Sequence, residues 1–162
     1  MITYRRANEK DFLQIAVLDG IAWLDNRNAA CIPDGEHVWR IWTEHALVYC
    51  GETAGKIMGA ICAFPCVSGD CCLHKVFVAK AYRHMGVGSQ LSKMLLMELD
   101  RQQLVCFLTV DPANEHAIRL YEKWGFADKE FVKGYYRSNE DRYVLTRKHR
   151  GTWQSASPET VQ

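Results

Sequence analysis

The run Arg83-His84-Met85-Gly86-Val87-Gly88 constrains this chain more than any other stretch. It follows the apolar residues Leu73 to Val78 and opens a helix-like run from Ser89 to Leu99. A strand that turns through glycines into a helix makes an anion site. The first N–H groups of a helix lack intrahelical acceptors, and the helix dipole favours negative charge there. Gly86 and Gly88 let the backbone approach a bulky phosphate without a Cβ in the way, and Arg83 adds a charged donor. The pattern points to a pyrophosphate-bearing ligand.

Two common glycine loops are excluded. A dinucleotide fingerprint needs a third glycine where this chain has Leu91, and an acidic residue at the next strand end, which is missing. A P-loop needs Gly-Lys-Ser/Thr, a tripeptide this sequence does not contain.

Around the loop, the pattern alternates between helix and strand periods. Ile2 to Arg6 reads as a first strand, and Asn8 as the N-cap of a helix running through Leu18, with Phe12, Ile15, Ala16 and Asp19 at helical spacing. Gly20 to Cys31 reads as irregular, and Glu36 to His45 as a second helix. Ala46 to Glu52 and Lys56 to Phe64 form a hairpin about Thr53-Ala54-Gly55, followed by a strand from Cys71 to Ala79. Beyond the glycine loop, Leu91, Met94, Leu95 and Leu99 make one apolar helical face. Leu104 to Val110 is the next strand. Ala117, Leu120, Tyr121 and Trp124 mark a helix that Gly125 ends, and Lys129 to Arg137 pairs with Arg142 to Arg147 as a closing hairpin. This order gives an α/β fold of the α+β type, a mixed sheet flanked by helices. Residues 1–148 are expected to form a single domain and 149–162 a mobile, polar tail.

Composition narrows the class. With 162 residues, 48% hydrophobic and 24% charged, the chain has the balance of an ordinary globular protein able to bury a core. A formal net charge of +1 provides no global attraction to nucleic acid or anionic membrane. The apolar stretch Ile57 to Val67 is broken by Gly59 and Pro65 and is too short to span a bilayer. No apolar signal region follows Met1, so a cytoplasmic protein is expected. The seven cysteines contain no Cys-x-x-Cys pair, so they read as small buried hydrophobes of a reducing compartment, without a metal site.

Arg83-x-x-Gly86-x-Gly88 after Val76-Phe77-Val78 resembles the acetyl-CoA signature of the GNAT acyltransferase superfamily. A second block resembles the strand and helix that follow it in that family: Leu108-Thr109-Val110, Asn114, then Ala117-Ile118-x-Leu120-Tyr121-Glu122-Lys123-Trp124-Gly125-Phe126. Tyr135-Tyr136 and Glu140-Asp141 are similar to the branch that acetylates protein N-termini, including the ribosomal-protein-alanine enzymes, although Arg142 stands where that branch has alanine. The resemblance implies the GNAT fold, a central mostly antiparallel sheet splayed at the cofactor site. It also implies acetyl-CoA as cofactor and an N-acetyltransferase working by direct attack in a ternary complex. The backbone of Phe77 and Val78 would pair with the pantetheine arm. The amides of His84, Met85, Gly86, Val87, Gly88 and Ser89 would hold the diphosphate, with Arg83 beside it. Asn114, besides capping its helix, would reach the arm, and Tyr121 would protonate the departing thiolate.

The base is the open element. The N-terminal branch places a carboxylate where this chain has Thr109, leaving His74, Asp111 and His116 as candidates. His74 has the suitable ordinary pKa, about 6.5. An α-amine, with a pKa of about 7.7–8.0, needs less help losing its proton than a lysine near 10.4. The expected acceptor is therefore a peptide or protein N-terminus, with a small-molecule amine as the alternative. A catalytically silent acyl-CoA-binding module is the rival from another class. Monomer and homodimer both stay open. Trp23, Trp39, Trp42, Tyr135 and Tyr136 are candidates to wall the acceptor pocket, with Tyr135 and Tyr136 alternating on a strand so that one faces in.

Overall fold

The structure, a computed structural model, describes residues 1–25 and 34–151. The sheet has seven strands: β1 (Thr3–Arg6), β2 (Leu47–Thr53), β3 (Lys56–Pro65), β4 (Cys71–Val78), β5 (Cys106–Val110), β6 (Asp128–Val132) and β7 (Arg142–Arg147). Their order is β1-β2-β3-β4-β5-β7-β6, and among the described residues only the β4–β5 pair is parallel. The mostly antiparallel mixed sheet expected from the sequence is present.

Each face of the sheet carries two helices. On one side, α3 (Val87–Arg101) lays Val87, Leu91, Leu95 and Leu99, one residue per turn, over Tyr49, Ile61 and Leu73. Ile118 of α4 (Glu115–Lys123) joins the same core. On the other side, Ile15, Leu18 and Ala22 of α1 (Phe12–Asp25) and Trp39 of α2 (Glu36–His45) cover Val48, Cys62 and Phe77. Alternation along Leu47–Cys50 of β2 and Ala60–Ala63 of β3 divides their residues between the two cores.

Helix α1 departs from the sequence reading. It continues through Asp25, past the Leu18 end and into the stretch expected to be irregular. Gly20 costs a helix only about 1 kcal/mol relative to alanine. The buried stripe of Ile15, Leu18 and Ala22 outweighs it. The remainder of that stretch, including Cys31, lies outside the described residues. Of the other cysteines, Cys50, Cys62, Cys71 and Cys106 are buried, while Cys66 and Cys72 are half-buried.

The closing hairpin is shorter than expected. β6 stops at Val132, and Gly134 takes φ +61 with its N–H donating to Asp141 Oδ1 at 2.8 Å. Tyr135 and Tyr136 therefore sit in a loop and do not alternate on a strand. Both rings are exposed, and they meet edge to face at 4.7 Å. At the C-terminal end, Arg150 is still anchored, its N–H donating to Asp100 Oδ1 at 2.8 Å. Trp153 lies outside the described residues.

Candidate active site

Strands β4 and β5 pair only at Cys71–Cys106 and Cys72–Phe107, then diverge. Among the described residues, β4 from Leu73 onward keeps an edge with no strand beside it, and so does β5 beyond Phe107. A cavity of about 240 Å³ fills the opening. It passes through the sheet. Asp19, Ala22 and Trp23 of α1 line it from one face, and Tyr121 of α4 from the other. A second cavity, about 520 Å³, shares Ala22, Val76 and Phe77 with the first and runs on to the glycine loop and to His116, Leu120 and Trp124.

The loop has the form an anion requires. Gly86 caps α3 at φ +79, in the left-handed region, and a Cβ there would meet nothing within 4 Å. Gln90 is the first residue to donate back, to the Gly86 carbonyl at 3.0 Å. Among the described residues, no acceptor takes the N–H groups of residues 84–89. These free donors at a helix N-terminus, continuous with an open strand edge, fit a diphosphate followed by an extended, amide-bearing arm.

Most of the residues expected in the site gather here. Phe77, Val78, Arg83, His84, Gly86, Val87, Gly88 and Ser89 line the larger cavity, and His74, Phe77, Thr109 and Tyr121 the smaller. Met85 points to solvent. Asn114 lines neither cavity, and its Oδ1 accepts from Ala117 N–H at 3.1 Å as a helix cap. Arg83 reaches the cleft with its guanidinium engaged, Nη2 to Asp25 at 2.9 Å and Nε to the Val78 carbonyl at 3.1 Å. Asp111 turns back to cap its own loop, accepting from Ala113 N–H at 2.8 Å.

Tyr121 approaches from the α4 face. Burial pushes its phenol above the ordinary value, so it stays protonated through neutral pH. Its ring packs edge-on against Trp124 and Phe126, and its hydroxyl has no protein partner among the described residues. Thr109, at the place of the missing carboxylate, is 2.8 Å from the Tyr136 hydroxyl. That contact brings the exposed tyrosine pair to the mouth of the opening.

On the α1/α2 face lies a polar network that the sequence reading missed. Lys75 Nζ bridges Asp19 at 2.7 Å and Asp34 at 2.6 Å. Asp19, nearly fully buried, also accepts from Trp39 Nε1 at 3.0 Å, and Asp34 Oδ2 lies 2.9 Å from His74 Nε2. A signal was present in the sequence: one acidic residue on the buried stripe of a helix, and one lysine in the middle of an apolar strand. Each is costly to bury without the other.

Comparison with known proteins agrees with this geometry. The sequence model of the acetyltransferase (GNAT) family matches residues 14–126. An N-alpha-acetyltransferase of Saccharolobus solfataricus is 35% identical over 74 residues, 44% of this chain and 44% of that protein. The match thus spans less than half of that relative's length. The fold superposes on the ribosomal-protein-S18-alanine N-acetyltransferase of Escherichia coli with a TM-score of 0.77, at 21% identity, covering 97% of this chain and 99% of the other. An Arabidopsis thaliana protein solved with the bisubstrate analogue CoA-Ac-MVNAL gives 0.68 at 21% identity, covering 91% and 98%.

Proposed function

Because this chain belongs to the acetyltransferase (GNAT) family, we propose that it transfers an acetyl group from acetyl-CoA to a primary amine, the α-amino group of a peptide or protein N-terminus. The observation that carries this reading is the opening between β4 and β5, which joins an anion-binding loop to a cavity reached by Tyr121 and His74 from opposite faces.

The free amides of residues 84–89 hold the diphosphate, and the open edge at Phe77 and Val78 pairs with the pantetheine arm. Acetyl-CoA supplies the activated thioester. Tyr121 donates a hydrogen bond to the sulfur, a bond that strengthens as negative charge grows there. His74 takes the proton of the incoming ammonium, directly or through one water. Tyr135 and Tyr136, exposed at the mouth, offer aromatic surface and hydroxyl groups to an extended peptide.

Thiol release from acetyl-CoA, measured against short peptides, free lysine side chains and small amines, tests the assignment. Peptides with a free α-amine are expected to turn over, and the same peptides with a blocked N-terminus to be inert. CoA binding without acceptor-dependent release would show a silent binding module. Turnover of small amines alone would move the acceptor class.

A further inference from the structure

We infer that Asp34 is the positioning residue for His74, holding the imidazole with its proton on Nε2 and leaving the Nδ1 lone pair as the proton acceptor. The inference rests on the reading of His74 as the base, and it begins with the strand register. Ile61 pairs with Val76 and Cys62 with Lys75, but Ala63 pairs with Leu73, so His74 is the extra residue of a β-bulge. Along an unbroken strand His74 and Lys75 would face opposite sides. The bulge turns both toward α1 and α2, where one carboxylate, Asp34, meets His74 at 2.9 Å and Lys75 at 2.6 Å.

The carboxylate is fixed from behind. Lys75 ties it to Asp19, which Trp39 Nε1 anchors in the core. The imidazole is fixed in plane, with ring contacts to Trp42 at 4.9 Å and Phe64 at 5.6 Å. Burial pushes the Asp34 carboxyl up, but the hydrogen bonds from His74 and Lys75 outweigh it and keep it below its ordinary value. An ionised carboxylate only accepts, so the nitrogen facing it carries the proton. Nδ1 has no partner among the described residues, and His74 lines the cavity in the β4–β5 opening. A proton then passes from the acceptor ammonium to Nδ1, giving a neutral amine and an imidazolium stabilised by Asp34.

Asp34→Asn removes the carboxylate that selects the Nε2–H tautomer, so kcat is expected to fall about tenfold or more, and Asp34→Glu to recover most of it.

Long-range ¹H–¹⁵N spectra of the histidine rings in the full chain, with His74→Ala to assign the signal, read the tautomer without any turnover. The wild type is expected to show Nε2–H, Asp34→Asn to lose that preference, and Asp34→Glu to keep it. An Nδ1–H tautomer in the wild type, or an unchanged tautomer in Asp34→Asn, would overturn the inference. An Nε2–H tautomer in a protein that releases no thiol with any amine supports the Asp34–His74 pair and sinks the acetyl-transfer reading alone.

Discussion

Replacing Tyr121 with phenylalanine is expected to lower kcat about 100-fold while CoA affinity stays within about threefold of wild type. The ring fills space between Trp124 and Phe126, and phenylalanine keeps that packing. Only the hydroxyl is lost. It has no protein partner among the described residues and lines the cavity, so its removal leaves no group in the protein unpaired. Burial holds the phenol protonated, so the wild-type plateau should show no fall from Tyr121 ionisation near neutral pH. Steady-state kinetics with an α-amine peptide, alongside calorimetric titration with CoA, separate the two quantities. A large loss of affinity with kcat unchanged would make the hydroxyl a binding group, and loss of neither would remove it from the chemistry.

The second large effect is structural. Trp39→Ala is expected to destabilise the fold by about 3–5 kcal/mol, read from urea unfolding at unchanged m. Trp39 is fully buried, meeting Trp42 at 5.1 Å and Phe77 at 5.8 Å, both edge to face. It also donates to Asp19, so truncation removes volume and leaves that buried carboxylate with Lys75 as its remaining partner. Trp39→Phe keeps much of the volume and loses the N–H, for which about 1–3 kcal/mol is expected. A cost below about 1 kcal/mol for the alanine variant would mean that α2 does not hold the α1/β4 wall of the opening.

What the sequence revealed was local. The glycine loop was legible because glycine at a strand-to-helix junction is a signal contained within six residues, and the Leu91, Leu95, Leu99 spacing marks the helix behind it. The Asn114 cap was legible for the same reason. The polar wall was not. Lys75 and Asp19 lie 56 positions apart, and no spacing rule joins them. The bulge at His74 breaks the two-residue alternation on which strand reading depends, so the shared orientation of His74 and Lys75 appears only in the register. The hairpin read over Lys129 to Arg137 puts Tyr135 and Tyr136 on a strand, whereas Gly134 at positive φ and the Asp141 carboxylate fold that segment into a loop. The helical spacing read through Leu18 falls short of the end of α1, because burial of Ala22 beyond Gly20 sustains the helix to Asp25.

The central claim is that main-chain donors at residues 84–89 hold a diphosphate whose attached arm runs along the open edge of β4. Calorimetric titration of the full chain with CoA, run in parallel with pantetheine, tests it most directly. CoA is expected to give saturable heat at one site per chain, and pantetheine, which shares the arm but lacks the diphosphate, to bind about 100-fold more weakly or worse. Equal affinity for the two, or no heat with CoA, would contradict the account.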